Sequence, residues 1–460
     1  MKNTIFILKN DSPKYKQIYE QFKSFIKRGD IQLNDRLPSI RQLAESLQVS
    51  RNTTLMAYEQ LVAEGYIRVE ARKGYFVNEL EPVLSQDTFI PSHKEHKETV
   101  KLVEIDFSAG AVDQTNFPLK VWRRISNQVL TLRESFRYGK PFGEVYLREQ
   151  IATYLFQSRG VKTEPNAIII GSSTQQMLIY LGQILKDDHA GIIIEDPGYD
   201  GAMEAFRFHR FTMETLPVYE TGANFSKLEK TKSKLIYVTP SHQSPLGVSM
   251  SIQERQMLIH WANNNNGFII EDDYDSELRY TKQPFPALAS IDSTRVIYLG
   301  NFSKSFLPGI RLCYMVLPEL VLNRYKNQFL HFESTSSLLS QLTMAKFMEE
   351  GEWNRHIKRM RLVYKRKMQC IVSELKKHFE QSISIIGEQS GLYVLVKVHQ
   401  NRSEEWLIER AFIYGVKVYP TSIYFIKNHP AEAIIKLGFS NLTYDEIQKG
   451  VKLLKEAWGG

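Results

Sequence analysis

The stretch Asn301-Phe-Ser-Lys-Ser-Phe-Leu-Pro-Gly-Ile-Arg311 places Lys304 between two serines, directly after the apolar run Val296-Ile-Tyr-Leu299. A lysine amine can form a Schiff base with an aldehyde, while hydroxyl groups and a guanidinium can bind a phosphate. The stretch therefore fits a site for an aldehyde cofactor that carries a phosphate. A solvated surface lysine explains a lone Ser-Lys-Ser better, so the interpretation depends on the rest of the chain.

Short apolar runs recur upstream of this stretch and are separated by helical patterns. They are Ala167-Ile-Ile-Ile170, Gly191-Ile-Ile-Ile194, Leu235-Ile-Tyr-Val238, Gly267-Phe-Ile-Ile270 and Val296-Ile-Tyr-Leu299. Such runs predict a mostly parallel sheet that helices cover on both faces, which is an α/β fold. Ligands of these sheets bind beyond the carboxyl ends of the strands. The residues that follow each run are therefore the candidate site.

Polar segments follow these runs. Gly171-Ser-Ser-Thr-Gln175, before a helix predicted from about residue 176, suits a phosphate cradle or ordinary helix capping. Glu195-Asp-Pro-Gly-Tyr199 presents an aromatic ring that either stacks on a flat cofactor or packs on the surface. Glu271-Asp-Asp-Tyr-Asp275 concentrates carboxylates, for which a partner pyridine nitrogen is favoured over a metal ion because no histidine of suitable spacing accompanies them.

In this order, the segments resemble the fold-type I aminotransferases over residues 105–460. That resemblance implies a large, mostly parallel sheet domain, a small C-terminal α+β domain and the cofactor pyridoxal 5′-phosphate (PLP). It makes Lys304 the Schiff-base lysine and Asp272 the partner of the pyridine nitrogen. Tyr274 would hydrogen-bond the phenolic oxygen of PLP, and Tyr199 would stack on its ring. The residues implied to hold the phosphate are Ser173, Thr174, Gln175, Ser303 and Arg311.

The first 78 residues are basic and carry three helical patterns. They contain 13 Lys or Arg and 8 Asp or Glu residues, so +5 of the chain's net charge of +8 lies there. This excess indicates a polyanionic partner. Apolar spacing predicts an amphipathic helix over residues 12–28. Ser39 and Ser50 are suited to cap a second helix, over residues 40–47, and a third that ends near residue 64.

A hairpin pattern over residues 66–77, with Gly74 near its turn, completes a predicted winged helix. A small three-helix interaction module is the alternative. The motifs Leu37-Pro-Ser-Ile-Arg41 and Val49-Ser-Arg-Asn-Thr53 resemble GntR-type bacterial transcription regulators, over nearly all of residues 10–78. The resemblance implies a double-stranded DNA operator as partner. The positions implied to contact DNA are Arg41, Ser50, Arg51, Asn52, Thr53, Lys73 and Gly74, with Arg72 beside them at the hairpin tip.

The whole chain resembles the MocR/GabR subfamily of GntR regulators, notably in Thr239-Pro-Ser-His-Gln-Ser-Pro-Leu-Gly247 and Ile270-Glu-Asp-Asp-Tyr-Asp-Ser-Glu277. The expected organisation is a winged helix-turn-helix over residues 1–78, a linker over 79–104 and an aminotransferase-like body over 105–460. Similar proteins form domain-swapped homodimers, which the resemblance implies here. The expected function is a transcription regulator whose body senses PLP or an amino compound, and the alternative is an active aminotransferase with an accessory DNA-binding head.

Some positions depart from the subfamily's pattern. Ser244 stands where aminotransferases keep an asparagine. Where amino-acid-sensing members carry arginines that grip carboxylates, this chain has Asp200-Gly201 and Ile423, and Lys436 replaces the aminotransferase arginine near the carboxyl end. Because lysine lacks the bidentate fork of arginine, an amino-acid effector becomes less favoured. PLP itself then becomes a candidate signal, as in the vitamin B6 regulators of the subfamily.

The location of the protein is predicted from what the sequence lacks. Two cysteines show no disulfide or metal-type spacing, which fits a reducing compartment. No apolar run approaches the roughly 18–20 residues that a membrane span requires. We expect a cytoplasmic protein that has no membrane partner.

Overall fold

The computed structural model describes residues 6–8, 12–79, 103–187, 189–280 and 285–459. The chain separates into two compact units, residues 1–98 and 99–460. Most of the linker predicted over residues 79–104 lies outside the described residues. No helix of the described ranges is both long enough and apolar enough to cross a bilayer.

The amino-terminal unit has three helices and a hairpin. The helices are α1 (Lys14–Lys27), α2 (Ile40–Ser46) and α3 (Arg51–Ala63), and strands β1 (Ile67–Glu70) and β2 (Gly74–Val77) pair antiparallel. Ser39 and Ser50 cap α2 and α3, because their hydroxyl oxygens accept hydrogen bonds from backbone N–H groups in the first turn. The predicted helices, caps and hairpin are therefore confirmed, with helix ends shifted by one or two residues.

Helices and strands alternate through most of the second unit. Its strands are β3 (Ile105–Asp106), β4 (Ile168–Gly171), β5 (Gly191–Asp196), β6 (Thr212–Tyr219), β7 (Gly222–Ala223), β8 (Leu235–Val238), β9 (Phe268–Asp273), β10 (Val296–Asn301), β11 (Cys313–Val316), β12 (Ile383–Ile386), β13 (Tyr393–Val398), β14 (Val416–Lys417), β15 (Tyr419–Pro420) and β16 (Ile434–Gly438). Its helices are α4 (Leu119–Leu130), α5 (Val145–Arg159), α6 (Thr174–Leu185), α7 (Asp200–Phe208), α8 (Ile252–Asn264), α9 (Leu288–Ile291), α10 (Glu319–Phe329), α11 (Leu338–Glu349), α12 (Glu352–Phe379), α13 (Glu404–Ile413) and α14 (Tyr444–Trp458).

The large sheet has the strand order β4-β11-β10-β9-β8-β5-β6-β7. Strands β10, β9, β8, β5 and β6 are mutually parallel, whereas β11 runs antiparallel between β10 and β4, and β7 is an antiparallel edge strand. The mostly parallel sheet is confirmed. Strand β11, which follows the loop that contains the lysine motif, was not predicted.

Two hydrophobic clusters cover the two faces of this sheet. Alternate residues of each strand enter different clusters: Ile269 and Tyr298 belong to one, and Tyr237 and Ile270 to the other. This alternation follows from the two-residue period of a strand. Residues that continue a strand beyond its apolar run keep the same alternation, so consecutive side chains there point to different environments.

The carboxyl-terminal part is a smaller α+β layer. Its sheet has the order β12-β13-β16-β15, and α12, α13 and α14 pack on it around buried residues such as Val394, Leu437 and Trp458. The short strand β3 pairs in parallel with β14, which ties the start of the body to this layer. The predicted small C-terminal α+β domain is thus present.

Candidate functional site

The carboxyl ends of the parallel strands border a cavity of about 500 Å³. All nine residues predicted to bind the cofactor line it: Ser173, Thr174, Gln175, Tyr199, Asp272, Tyr274, Ser303, Lys304 and Arg311. The structure thus brings together residues that are widely separated in sequence. Their individual roles remain predictions.

One end of the cavity lies at the amino terminus of α6. The hydroxyl oxygen of Ser173 accepts a hydrogen bond from the backbone N–H of Gln176 (3.2 Å), so the helix begins two residues before the predicted start. Thr174 and Gln175 occupy its first turn, where backbone N–H groups and the helix dipole favour an anion. Arg311 lines the same cavity, and its guanidinium has no hydrogen bond or ion pair among the described residues. This end suits a phosphate.

The backbone of Arg311 has a left-handed conformation (φ 51°), which places the residue after the short 3₁₀ helix Pro308–Ile310. A side chain with a Cβ atom disfavours this conformation by roughly 1 kcal/mol or more, and such residues concentrate at ligand sites. Ser303 precedes it in the same loop, and its backbone N–H donates to the side-chain oxygen of Asn301 (3.1 Å). The loop therefore holds both predicted phosphate ligands in a defined conformation.

Lys304 extends into the cavity from the loop that follows β10. Its Nζ donates a hydrogen bond to the carbonyl oxygen of Ala109 (2.7 Å). Burial lowers the pKa of this amine, and the charge of Asp275 opposes that shift. A lowered pKa increases the fraction of neutral amine, which is the form that attacks an aldehyde.

Asp272 is a buried carboxylate with one satisfied oxygen. Its Oδ2 accepts a hydrogen bond from the hydroxyl group of Tyr237 (2.6 Å), whereas its Oδ1 is buried and has no partner among the described residues. Burial raises the pKa of this carboxyl to about 7. An unpartnered buried acceptor in a cavity wall suits a ligand that brings a donor with positive charge, such as a protonated pyridine nitrogen.

The two neighbours of Asp272 on β9 face the other side of the sheet. Asp273 pairs with Arg159 (Oδ2 to Nε, 2.7 Å) and accepts a hydrogen bond from the hydroxyl group of Tyr298 (2.6 Å). Glu271 accepts from backbone N–H groups at the start of α9 (2.9 and 3.0 Å). Burial alone would raise the pKa of Asp273, but the charge of Arg159 and the hydrogen bonds lower it. These two carboxylates therefore stabilise the fold.

The remaining ring contacts involve two tyrosines. Tyr199 is the residue before α7, and its ring lines the cavity, as stacking on a cofactor would require. Tyr274 also lines the cavity, while its hydroxyl group hydrogen-bonds Nδ1 of His242 (3.2 Å). His242 stacks near Tyr274 and contacts Asp275 (2.6 Å). His242, which was not predicted as a site residue, therefore orients Tyr274 through a hydrogen bond and a ring contact.

Another part of the cavity wall consists of tyrosines and one lysine. Tyr393, Tyr419, Tyr424 and Lys436 line it, together with Asp200. The Nζ of Lys436 donates to the Tyr424 hydroxyl group (3.1 Å) and lies 4.2 Å from the ring centroid of Tyr393. Burial, with repulsion from Lys304, lowers the pKa of Lys436 to about 7. The amine is therefore partly neutral at physiological pH.

The positions that depart from the subfamily's pattern divide into two groups. Ser244, Asp200 and Lys436 line the cavity. Ile423 lies in the short helix Ser422–Tyr424, is 52% exposed and does not line the cavity. Its neighbour Tyr424 lines the cavity instead. No arginine other than Arg311 lines the cavity in the part of the chain that the structure describes.

Several lining residues were not predicted, among them Tyr237 and Asn301. Tyr237 lies inside the apolar run of β8, where a tyrosine is indistinguishable from a core residue. Tyr237 is the second residue from the carboxyl end of β8, and this position is the signal that could have identified it. Tyr393 and Tyr419 come from the small sheet, for which no strand was predicted.

The predicted DNA-binding residues lie at the start of α2, around the start of α3 and on the hairpin. Arg51 and Asn52 open α3 and are exposed, whereas Ser50 and Thr53 bond each other (2.8 Å) as part of the cap. Arg41 pairs with Glu45 on the surface of α2 (2.9 Å). In a helix-turn-helix, exposed side chains at the start of the second helix, which is α3 here, suit readout of the major groove.

The hairpin turn carries the other predicted contacts. Lys73 is exposed and pairs loosely with Glu70 (3.3 Å). Arg72 and Gly74 both have positive φ angles (65° and 118°), which form the tight turn. A Cβ atom at Gly74 would lie 3.3 Å from the Arg36 side chain, so glycine suits the position sterically as well.

Comparison with known proteins divides the chain in the same way. The family model "Aminotransferase class I and II" matches residues 103–454, and "Bacterial regulatory proteins, gntR family" matches residues 14–77. The HTH-type transcriptional regulator YdeL of Bacillus subtilis is 40% identical over 97% of each chain. The probable rhizopine catabolism regulatory protein MocR of Rhizobium meliloti is 30% identical over 97% of this chain and 94% of its own.

A further relative matches most of the chain. The pyridoxine biosynthesis regulator PdxR of Corynebacterium glutamicum is 30% identical over 78% of each chain. Among solved structures, the α-aminoadipate aminotransferase LysN of Thermus thermophilus, complexed with N-(5′-phosphopyridoxyl)-L-leucine, has a TM-score of 0.69 and 26% identity, covering 77% of this chain and 92% of its own. The multiple substrate aminotransferase of Thermococcus profundus gives 0.71 and 25%, covering 79% and 94%.

Proposed function

The chain belongs to the GntR-family regulators of the MocR type, in which a DNA-binding winged helix is joined to an aminotransferase class I and II domain, and from that premise we propose that it binds PLP and senses a small molecule there. The sensed molecule is PLP itself or an amino compound that meets PLP in the cavity. The readout is a change in how the winged helix binds its operator.

The observation that carries this proposal is the wall of the cavity. It presents the amine of Lys304, the unpartnered Oδ1 of Asp272 and the anion-binding start of α6 with Arg311. These are the three contacts that an aldehyde, a pyridine nitrogen and a phosphate each require. One small molecule, PLP, carries all three groups. The phosphopyridoxyl ligand of LysN, a structure of the same fold, adds support.

When bound, PLP supplies an aldehyde that captures amines and a ring that withdraws electrons. The chain's own residues then have separate tasks. Lys304 presents its Nζ to the aldehyde, and burial, which lowers the pKa of this amine, favours the neutral form that can attack it. Asp272, once ionised, keeps a proton on the ring nitrogen through its free Oδ1, and Tyr237 fixes the other oxygen. Ser173, Thr174, Gln175, Ser303 and Arg311 orient the phosphate.

The lysine at position 436 of the cavity wall favours sensing over turnover. An aminotransferase must hold amino donor and acceptor in turn, and a bidentate arginine clamp on the carboxylate serves that purpose. Here Lys436 replaces that arginine, and its pKa of about 7 leaves it only partly charged. A slow half-reaction is compatible with this arrangement. The name of PdxR, a pyridoxine biosynthesis regulator, supports vitamin B6 as the signal.

We propose the winged helix over residues 1–78, the linker over 79–104 and the body over 105–460, which agrees with the matched ranges 14–77 and 103–454. The assembly proposed by resemblance is a domain-swapped homodimer, in which two heads read paired half-sites. Because its DNA partner is in the bacterial cytoplasm, the proposed function places the protein there.

In the head, Arg51 and Asn52 would read bases, because they are exposed where α3 opens. Ser50 and Thr53 would hold the start of that helix against the backbone of the DNA. Arg41, Lys73 and Gly74 would contact phosphates, Gly74 through its backbone. Arg51→Ala should then lower operator affinity by about tenfold or more, whereas Lys73→Ala should weaken all sequences alike and reduce the salt dependence.

The experiment that tests the proposed function measures two properties of the full-length protein. Affinity for DNA upstream of its own gene is titrated with and without PLP, and turnover is followed with a panel of amino donors and keto acids. We expect PLP to change the affinity and turnover to be slow or absent. Rapid turnover together with no specific DNA binding would favour the active aminotransferase instead.

A further inference from the structure

One carboxylate in the cavity has no assigned partner. Asp200 is the first residue of α7, is partly buried and lines the cavity. Its side chain has no hydrogen bond or ion pair among the described residues. An acidic residue in a first turn stabilises a helix. That role, however, requires no position in a cavity wall, and the wall position makes Asp200 available to a ligand.

In the proposed function, the cationic side chains of the cavity are already assigned, so no strong cation remains for Asp200. Arg311 and Lys304 serve the phosphate and the aldehyde in the proposed function, and Asp272 serves the ring nitrogen. Lys436 remains, with a pKa of about 7, and Asp200 is close enough for its charge to oppose that lowering. When Lys436 is neutral, the net charge beside the effector is negative. A carboxylate would be repelled there, whereas an ammonium group would be attracted.

The walls beside Asp200 also suit a cation. Tyr393, Tyr419 and Tyr424 line the same cavity as Asp200. The Nζ of Lys436 lies 4.2 and 4.8 Å from the ring centroids of Tyr393 and Tyr424, so the faces of both rings border the cavity. Aromatic faces attract cations through the ring quadrupole. A carboxylate that shares a cavity with such faces suits the recognition of a protonated amine.

We propose that the effector carries two amino groups and that Asp200 binds the second of them as an ammonium group. The chemical class is therefore a diamine or a diamino acid. This inference rests on the proposed function, because the first amine is the one directed toward PLP. Amino-acid-sensing members of the subfamily carry a carboxylate-binding arginine where this chain has Asp200. The change from a cation to an anion reverses the charge that is preferred in the ligand.

The test uses ligands that are matched except at the distal group. Putrescine, butylamine and γ-aminobutyrate end in an ammonium, a methyl and a carboxylate group, and L-ornithine and L-norvaline form a second matched pair. Each is titrated calorimetrically into the full-length, PLP-loaded protein. We expect putrescine or ornithine to bind about ten- to a hundredfold more tightly than its uncharged match, which is the range of a charge-assisted hydrogen bond. Shorter and longer diamines test the distance to Asp200.

Two variants assign the preference to one side chain. Asp200→Asn should reduce the ratio between each diamine and its monoamine match to near one. Glu204→Gln removes a carboxylate one turn along the same helix, where Glu204 is exposed and pairs with Arg207. That control should keep the ratio. Comparing ratios within each variant removes any general effect on PLP loading.

The outcomes separate this inference from the proposed function. Imine absorbance of the loaded wild-type protein is recorded first, and its absence would overturn both. If the absorbance forms but γ-aminobutyrate or the monoamines bind most tightly, only the inference about Asp200 fails. It fails also if Asp200→Asn retains the preference for diamines.

Discussion

The two faces of strand β9 use the same kind of side chain in opposite ways. Glu271 and Asp273 face the core side, where Glu271 accepts from backbone N–H groups and Asp273 has Arg159 as counterion and Tyr298 as donor. Both Asp272 and Asp273 keep one oxygen without a hydrogen bond among the described residues, but the pKa of Asp273 is lowered, whereas that of Asp272, which faces the cavity, is raised to about 7. The difference arises only from the alternation of side chains along a strand. It separates a carboxylate that stabilises the fold from one that is available to a ligand.

The comparison extends to the cationic side chains. Arg159, on the core side, is buried against Asp273, whereas Lys436, on the cavity side, has tyrosines for neighbours and a pKa lowered to about 7. On the core side, the charge of Arg159 offsets the burial of Asp273 and keeps the pKa of that carboxyl low. On the cavity side, burial shifts the pKa values of Asp272, Lys304 and Lys436 toward the neutral forms of these groups. The predictions that follow test this division.

The largest effect is expected from Arg159→Met, which leaves Asp273 buried without its counterion. Removing one partner of a buried ion pair costs about 3–5 kcal/mol, so the free energy of unfolding should fall by that amount in a denaturant titration. Arg123→Met, at an exposed position on α4, is the control and should change it by about 0.5 kcal/mol or less. Equal effects of the two variants would contradict the structural role of the Arg159–Asp273 pair.

Asp272→Asn should affect cofactor binding and leave the fold intact. The variant should bind PLP about ten- to a hundredfold more weakly, since a charge-assisted hydrogen bond to the ring nitrogen is lost. The pKa of Asp272 is about 7 in the folded state and near 3.8 unfolded, so its contribution to stability is full below pH 3.8 and is lost as pH rises through 7.

The Asp272→Asn variant lacks this dependence of stability on pH. Its free energy of unfolding without cofactor should therefore rise relative to the wild type between about pH 4 and pH 7. Unfolding curves across that range and a PLP titration check both parts. If Asp272→Asn instead loses stability as severely as Arg159→Met, the two faces of β9 do not differ as described.

A matched pair of tyrosines sharpens the comparison. Tyr237 and Tyr298 each donate a 2.6 Å hydrogen bond to a β9 carboxylate, the first to Asp272 and the second to Asp273. Each change to phenylalanine should cost about 1–2 kcal/mol of stability. Only Tyr237→Phe should also weaken PLP binding, by a few-fold, because Asp272 becomes harder to ionise without its donor. Equal PLP affinities of the two variants would count against Asp272 as the ring partner.

The smallest effect is expected from Lys436→Met. Since burial lowers the pKa of Lys436 from 10.5 to about 7, the unfolded chain binds a proton between these values that the folded protein does not. Wild-type stability therefore gains from rising pH across this window. The variant should therefore gain most in stability over the wild type near pH 7, and this advantage should shrink as the pH rises toward 10.5. Lys452→Met, exposed on α14, should show no such dependence.

The amino-acid sequence predicts much of the fold, because apolar runs and capping residues are local signals. The runs at 168–171, 191–196, 235–238, 268–273 and 296–301 are all strands of one sheet. Strand β11 and the small C-terminal sheet were not predicted individually. Their strands are antiparallel, and their place depends on partners that are distant in sequence.

The cavity was predicted in part. Residues that follow strands, such as Lys304 and Asp272, were found because the carboxyl edge of a parallel sheet collects them. Tyr237 lies inside an apolar run, where only its position near the carboxyl end of the strand marks it, and no local pattern marks His242, which contacts Tyr274. Side chains alternate between the two faces of a strand. This alternation shows which carboxylate of residues 271–275 faces the cavity only once the extent of the strand is known. Tyr393 and Tyr419 were missed because they reach the cavity from the small sheet, whose position the sequence does not reveal.

The central claim is that Lys304 captures the aldehyde of PLP, and absorbance spectroscopy tests it directly. Purified protein titrated with PLP near neutral pH should develop the yellow absorbance of an imine, and Lys304→Arg, which keeps a positive charge but cannot form that bond, should not. Absence of the band in the wild type, or an identical band in Lys304→Arg, would contradict the account.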